Sequence, residues 1–199
     1  MARLLLVRHA PTPETGVKLT GRLPGISLGA EGERVAGAAA ERLAGVKLGA
    51  VYTSPITRTA ETAAIIAARH GLTPLVEDGI QEVDFGMWQG RTLNQLRRLK
   101  LWRQVQLTPS QVRFPGGESF PEMQTRAVDA CNRLGTGKKT IVLVSHSDVI
   151  KAILAHYLGQ PLDLFQRIIV QPASISIVHL NPGGFPMVET INSFAPVQR

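Results

Sequence analysis

Two histidines in this chain directly follow apolar runs. LLLV at 4–7 leads into Arg8 and His9, and TIVLVS at 140–145 leads into His146. An imidazole changes charge near neutral pH, so such a group can attack as a neutral nucleophile, move a proton or ligate a metal. One guanidinium, Arg8, stands beside the first histidine, and another, Arg58, follows the short apolar stretch AVYTS at 50–54. Guanidinium groups grip phosphate or carboxylate oxygens through paired N–H donors, a geometry that lysine reproduces less well. Together these residue types suit chemistry on an anion, provided the fold gathers them. The competing arrangement is a metal site made of His9, His146 and Asp148, which offers few carboxylates for metal-dependent phosphate chemistry. His70, His156 and His179 fall outside any such grouping, and His70 and His156 read as structural.

The elements that must do the gathering follow from periodicity. Continuous apolar runs alternate with amphipathic stretches, the pattern of an α/β domain built on a parallel sheet. Runs without polar alternation, such as 4–7 and 140–145, mark strands covered on both faces. Ligands of open α/β sheets sit beyond the carboxyl ends of the strands, so parallel neighbours here would bring His9 and His146 to one edge. Arg58 falls in the first turn of a helix expected over 57–70. A cation there opposes the helix dipole, whereas an anion bound at the same helix end is favoured. The plain alternative is an arginine solvated or paired with Glu61. Further helices are expected over 31–44, 92–104, 119–134 and 148–158. Strands are expected at 74–78, 175–180 and 187–191, the last two as a hairpin around 181–184. The least regular stretch, about 80–118, holds both tryptophans, Gly86, Gly90 and the FPGG turn at 114–117. An excursion of this kind is either a lid over a substrate or a structural crossover.

Composition narrows the partners. The 199 residues fit one domain, and 44% apolar residues are ordinary for a globular core. No segment approaches the roughly 18 apolar residues that would span a bilayer, and the opening MARLLLV is too short to read as a secretion signal. One cysteine, Cys131, cannot make an internal disulfide, which fits a reducing cytoplasm. The formal charge of +7 calls for an anionic partner, small phosphorylated molecule or nucleic acid. With two tryptophans, two tyrosines and six phenylalanines, and no basic tract interleaved with them, a single-strand stacking platform is not expected.

Five stretches in sequence carry a resemblance. Arg8-His9, the S-P-x-x-R-T segment at 54–59, the E-x-D-F-G-x-W-x-G segment at 82–90, PGGES at 115–119 and VSH at 144–146 together resemble the histidine phosphatase superfamily, in its phosphoglycerate-mutase-like branch. The resemblance implies a three-layer α/β/α sandwich on a mostly parallel central sheet, a single domain over 1–199, and no metal or cofactor. It also implies roles. His9 matches the nucleophile that becomes a phosphohistidine. Arg8, Arg58 and His146 match the rest of the phosphate pocket, and Glu82 matches the proton donor to the leaving alkoxide. Those roles are physically apt, because phosphoryl transfer is largely positioning and charge stabilisation. Glu82 must then keep its proton near neutral pH, which requires a raised pKa.

The match also departs from the family. Where RHG and then Glu or Gln are usual, Ala10 and Pro11 stand here, and Thr15 occupies a position usually taken by Asn. Ala10 is a mild change if its φ is negative. Thr15 can donate to phosphate only with shorter reach. Thr20-Gly21 resembles a loop that offers a backbone N–H to phosphate, and glycine permits that close approach. Ser147 replaces a common glycine. The chain lacks the longer lid of the mutases, which favours hydrolysis over transfer. The expected partner is a small phosphorylated metabolite; phosphoserine, α-ribazole phosphate or a broad range would fit. A cofactor-dependent phosphoglycerate mutase is the alternative within the family, and a non-catalytic phosphate- or nucleic-acid-binding module is the alternative outside it. Arg91, Arg97, Arg98, Lys100, Arg103 and Arg113 either face the site or form a solvated helix face. Relatives often form homodimers, although no segment declares an interface.

Overall fold

The computed structural model describes residues 1–181 and 183–198. Its strands are β1 (Ala2–Arg8), β2 (Ala50–Thr53), β3 (Leu75–Val76), β4 (Thr140–Ser145), β5 (Ile175–Leu180) and β6 (Met187–Ser193). They form one sheet in the order β3-β2-β4-β1-β5-β6. The pairings from β3 through β1 are parallel, and those from β1 through β6 are antiparallel. The two most apolar runs therefore become central neighbours. Leu4 and Leu6 face one side of the sheet and Leu5 and Val7 the other, and each face is covered.

The covering helices are α1 (Gly29–Leu43), α2 (Thr57–Ala68), α3 (Leu93–Leu96), α4 (Lys100–Leu107), α5 (Phe120–Leu134) and α6 (Ser147–Tyr157). Ala40 and Leu43 of α1 and Ala63, Ile66 and Ala67 of α2 pack on Leu5 and Val7. On the opposite face, Phe120 and Met123 of α5, Ile150 and Ile153 of α6, and Leu96 and Val105 join the core around Leu4 and Leu6. The result is the expected three-layer α/β/α sandwich on a mostly parallel sheet. Helix α5 begins as its sequence dictates. Ser119 and Glu122 form a reciprocal capping box, and Pro121 occupies the first turn, where its missing N–H has no helical partner to lose.

Two expectations need correction. The helix expected over 92–104 is split into α3 and α4 by Leu99, which is extended (φ −81°, ψ 140°). The cause lies in the spacing of Leu93, Leu96, Leu99, Trp102 and Val105. Apolar residues every third position drift around a helix of 3.6 residues per turn, so one straight helix cannot turn them all inward. A break at Leu99 resets the phase, and all five pack on the same core. The strand expected at 74–78 shrinks to the two residues of β3, whose side chains are exposed at the sheet edge. The β5–β6 hairpin forms as expected, and its tip is closed by Gly184 N–H donating to the Asn181 carbonyl (2.9 Å). Pro182, part of the expected turn, lies outside the described residues.

Candidate active site

The register of β1 and β4 decides where the histidines emerge. Arg8 lies opposite Ser145, and the His9 N–H donates to the Ser145 carbonyl (2.9 Å). His9 and His146 thus leave adjacent strands side by side, with ring centroids 5.3 Å apart. The hydroxyl of Ser145 donates to the Ile80 carbonyl (2.8 Å), tying this sheet edge to the segment that carries Glu82.

Hydrogen bonds define the protonation of each ring. The Ala10 carbonyl, 2.7 Å from His9 Nδ1, can only accept, so Nδ1 carries the proton. Nε2 of His9 is left with its lone pair and accepts from Arg58 Nε (3.2 Å). Burial first, then the Arg58 and Arg8 charges, hold this imidazole well below its ordinary pKa. His146 is neutral for the same reasons, burial first and Arg58 next. Its Nδ1 accepts from Arg58 Nη2 (3.1 Å), so Nε2 bears the hydrogen and donates to Ser54 Oγ (2.9 Å). A guanidinium between the two imidazoles opposes any cation bridging the same nitrogens, which weighs against the metal arrangement.

Both arginines are placed to meet an anion. Arg58 sits in the first turn of α2 yet is only 2% exposed, and its Nη2 also donates to the Gly21 carbonyl (2.9 Å). Glu61, the alternative partner, instead accepts from the Leu28 N–H (2.8 Å). Arg8 donates from Nη1 to the Val170 carbonyl (2.7 Å). Among the described residues, Arg58 Nη1 and Arg8 Nε are buried without an acceptor. A buried unsatisfied N–H costs about 1–3 kcal/mol, more on a charged group, and phosphate oxygens would satisfy both.

Glu82 lies between two short 3-10 turns, Asp78–Ile80 and Gly86–Trp88. Its Oε1 accepts from the Val83 N–H (3.0 Å), and its Oε2 is 3.8 Å from His146 Nδ1. Burial, with the Asp148 charge second, pushes this carboxyl up to about 7 against the opposing pull of Arg58 and Arg8. The loop is fastened from behind. The Glu82 carbonyl accepts from Arg22 Nε (2.8 Å) and Arg126 Nη2 (3.1 Å). Glu118 of the PGGES stretch bridges the same two arginines and accepts the Asp84 N–H (2.8 Å). The backbones of the two loops touch. A Cβ on Gly117 would stand 2.1 Å from the Asp84 carbonyl oxygen, and one on Gly86 (φ +50°) 2.2 Å from that of Pro115.

Arg8, His9, Thr15, Gly21, Arg58 and Glu82 all line one cavity of about 230 Å³. Ala10 has no positive φ, so the departure from glycine is mild, as expected. The Thr15 hydroxyl accepts from the Thr12 N–H (2.8 Å) and pairs with the Thr12 hydroxyl (3.2 Å), so it shapes the loop as well as facing the cavity. Gly21, with φ +53°, presses against the side chain of Gln89. None of the basic residues at 91, 97, 98, 100, 103 and 113 lines this cavity; all are exposed. Three participants were not assigned roles from sequence. Ser54 and Glu118 stand inside the recognised motifs, and Asp148 was weighed only as a metal ligand.

The fold and the grouped imidazoles, guanidiniums and carboxylic acid define a class, and comparison with known proteins agrees. The sequence pattern of the histidine phosphatase superfamily (branch 1) matches residues 4–193, and the chain belongs to that family. It is 32% identical over 187 residues to "Phosphoserine phosphatase 1" of Hydrogenobacter thermophilus, covering 90% of this chain and 87% of that one. It is 31% identical over 183 residues to "Probable phosphoglycerate mutase GpmB" of Yersinia enterocolitica, covering 89% and 85%. Among solved structures, a mycobacterial glucosyl-3-phosphoglycerate phosphatase superposes with a TM-score of 0.85 at 25% identity, covering 96% of this chain and 99% of that one.

Proposed function

We propose that the protein hydrolyses phosphate monoesters of small metabolites through a phosphohistidine at His9, without a metal. The observation that carries this reading is the fixed tautomer of His9, with Nδ1–H on the Ala10 carbonyl and the Nε2 lone pair turned towards Arg58. Nε2 attacks phosphorus, the N–P bond forms and the ester P–O bond breaks. Glu82, carrying its proton, transfers it to the departing alkoxide. Water then attacks the phosphohistidine while the Glu82 carboxylate takes its proton. The N–P bond breaks and orthophosphate leaves. Arg8 and Arg58 hold the phosphoryl oxygens throughout, His146 Nδ1 steadies Arg58 by accepting from its Nη2, and Gly21 and Thr15 stand at the rim. The segment at about 80–118 supplies both the acid and the cover. Its residues 90–93 bond to 17–19 of the phosphate loop, Leu19 N–H to the Arg91 carbonyl at 2.9 Å among them.

A cytoplasmic setting and a small phosphorylated partner, rather than nucleic acid, complete the reading. Among the described residues no helix is long and apolar enough to cross a membrane.

Rapid quenching with labelled p-nitrophenyl phosphate tests the proposal. An acid-labile, base-stable phosphoenzyme is expected in the wild type and absent from His9→Ala, with turnover indifferent to chelator. Hydrolysis that is lost to chelator and restored by a divalent ion would overturn it. Conversion of 3- to 2-phosphoglycerate in place of hydrolysis would identify a mutase instead.

A further inference from the structure

Beside the phosphate cavity lies a second one of about 220 Å³. Leu19, Phe85 and Asp148 line both, so the two share a wall. The remaining lining of the second is mostly aromatic and apolar. Trp88 and Trp102 stack with centroids 6.2 Å apart, Phe114 packs edge-on against Trp88, and Val105 adds an aliphatic patch. Gln106 and Gln166 provide neutral polar groups.

Charge is distributed unevenly between the two cavities. The phosphate cavity is lined by Arg8, Arg58 and Lys18, whereas among the described residues no cation lines the second. Among the described residues, the only formal charge on its wall is the Asp148 carboxylate. Lys151 approaches that carboxylate at 3.5 Å and reaches Gln166 at 3.0 Å, but lines neither cavity. An alcohol carrying a carboxylate would therefore meet aromatic walls and a like charge, with no partner for its own. Size sets a further bound. An apolar cavity of about 150 Å³ accommodates benzene, so this one suits a single ring or a short branched chain.

We propose that this aromatic cavity is the leaving-group subsite and that it selects phosphomonoesters of apolar alcohols lacking a carboxylate. The proposal rests on the hydrolase reading above and adds a substrate class to it. Such a preference would set this chain apart from the phosphoserine and phosphoglycerate chemistry in its relatives' names.

The test compares kcat/KM for phosphate release from 2-phenylethyl phosphate, methyl phosphate, O-phosphoserine and 3-phosphoglycerate. Methyl phosphate needs only the phosphate cavity. The phenylethyl ester should exceed it by at least about tenfold, as filling an apolar pocket does, and should exceed both carboxylated esters. Trp102→Ala should erase the phenylethyl advantage, chiefly through KM, when both esters are assayed with the same variant. Gln106→Lys, at an exposed position, places a cation at the subsite and should raise kcat/KM for 3-phosphoglycerate about tenfold. A wild-type preference for either carboxylated ester, or a Gln106→Lys profile identical to wild type, would overturn the subsite. Failure to hydrolyse any of the four esters or p-nitrophenyl phosphate would instead overturn the hydrolase reading.

Discussion

The Nε of Arg58 stands 3.2 Å from the Nε2 of His9, so a guanidinium donates to the nitrogen assigned as the attacking atom. The same side chain reaches Gly21 and His146 through Nη2. Arg58 thus caps the lone pair that the proposed mechanism uses. In the proposed mechanism an arriving phosphate would offer the guanidinium stronger, charged acceptors, and transfer of its N–H groups to those oxygens would uncover Nε2.

Arg58→Met tests that dual position. Loss of the phosphate donor should lower kcat by about 10²–10³. The acid limb of the pH profile should also move to higher pH. Burial and the Arg58 charge both depress the His9 pKa, and removal of the charge relaxes the second of these. The kcat/KM profile between pH 4 and 8 measures the shift. An unmoved limb would contradict the electrostatic link.

Glu82→Gln separates leaving groups. Alkyl esters need a proton on departure, so their kcat should fall by about 10²–10⁴, while p-nitrophenyl phosphate, with a better leaving group, loses far less. Because the carboxyl is pushed up to about 7, wild-type turnover of alkyl esters should decline as pH rises through that value. The variant should lack this limb.

The same raised pKa predicts stability. The folded chain holds the Glu82 proton to a higher pH than the unfolded chain does, so stability falls as pH climbs from about 4.5 towards 7. A neutral glutamine escapes that loss. Glu82→Gln should therefore raise Tm relative to wild type at pH 8, and have little effect at pH 5.

Ser54→Ala probes the second imidazole. Ser54 Oγ is the acceptor for His146 Nε2–H, and its loss strands a buried donor at a cost of about 1–3 kcal/mol in denaturant unfolding. It also removes one of the two hydrogen bonds that hold the ring, leaving only Arg58 Nη2 on Nδ1. A ring turned to Nδ1–H would point a hydrogen at Arg58 Nη2. A fall in kcat larger than the rise in KM is expected.

Much of this arrangement was legible in the sequence because local rules reach that far. The unbroken apolarity of 4–7 and 140–145 marked doubly covered strands, and a residue following such a strand must emerge at the sheet edge. That reasoning located His9 and His146, and the helix that follows 50–54 located Arg58. Adjacency was different. The order β2-β4-β1 places residue 8 beside residue 145, and no local signal announces a pairing across that separation. Ser54 and Glu118 escaped for a similar reason. Their partners lie at 146 and at 22 and 126, and a serine or glutamate in a loop carries no mark of a contact so distant in the chain. The break at Leu99 was readable in principle, since a strict three-residue apolar spacing cannot continue through one straight helix.

Where Gly86 meets Pro115 and Gly117 meets Asp84, no side-chain atom separates the backbones. The fit works like a key cut to one lock. A side chain at either glycine would have to push the loop that carries Glu82 away from the one that carries Glu118. The placement of Glu82 is thus coupled to Gly117, a residue with no side chain of its own and far from it in the chain.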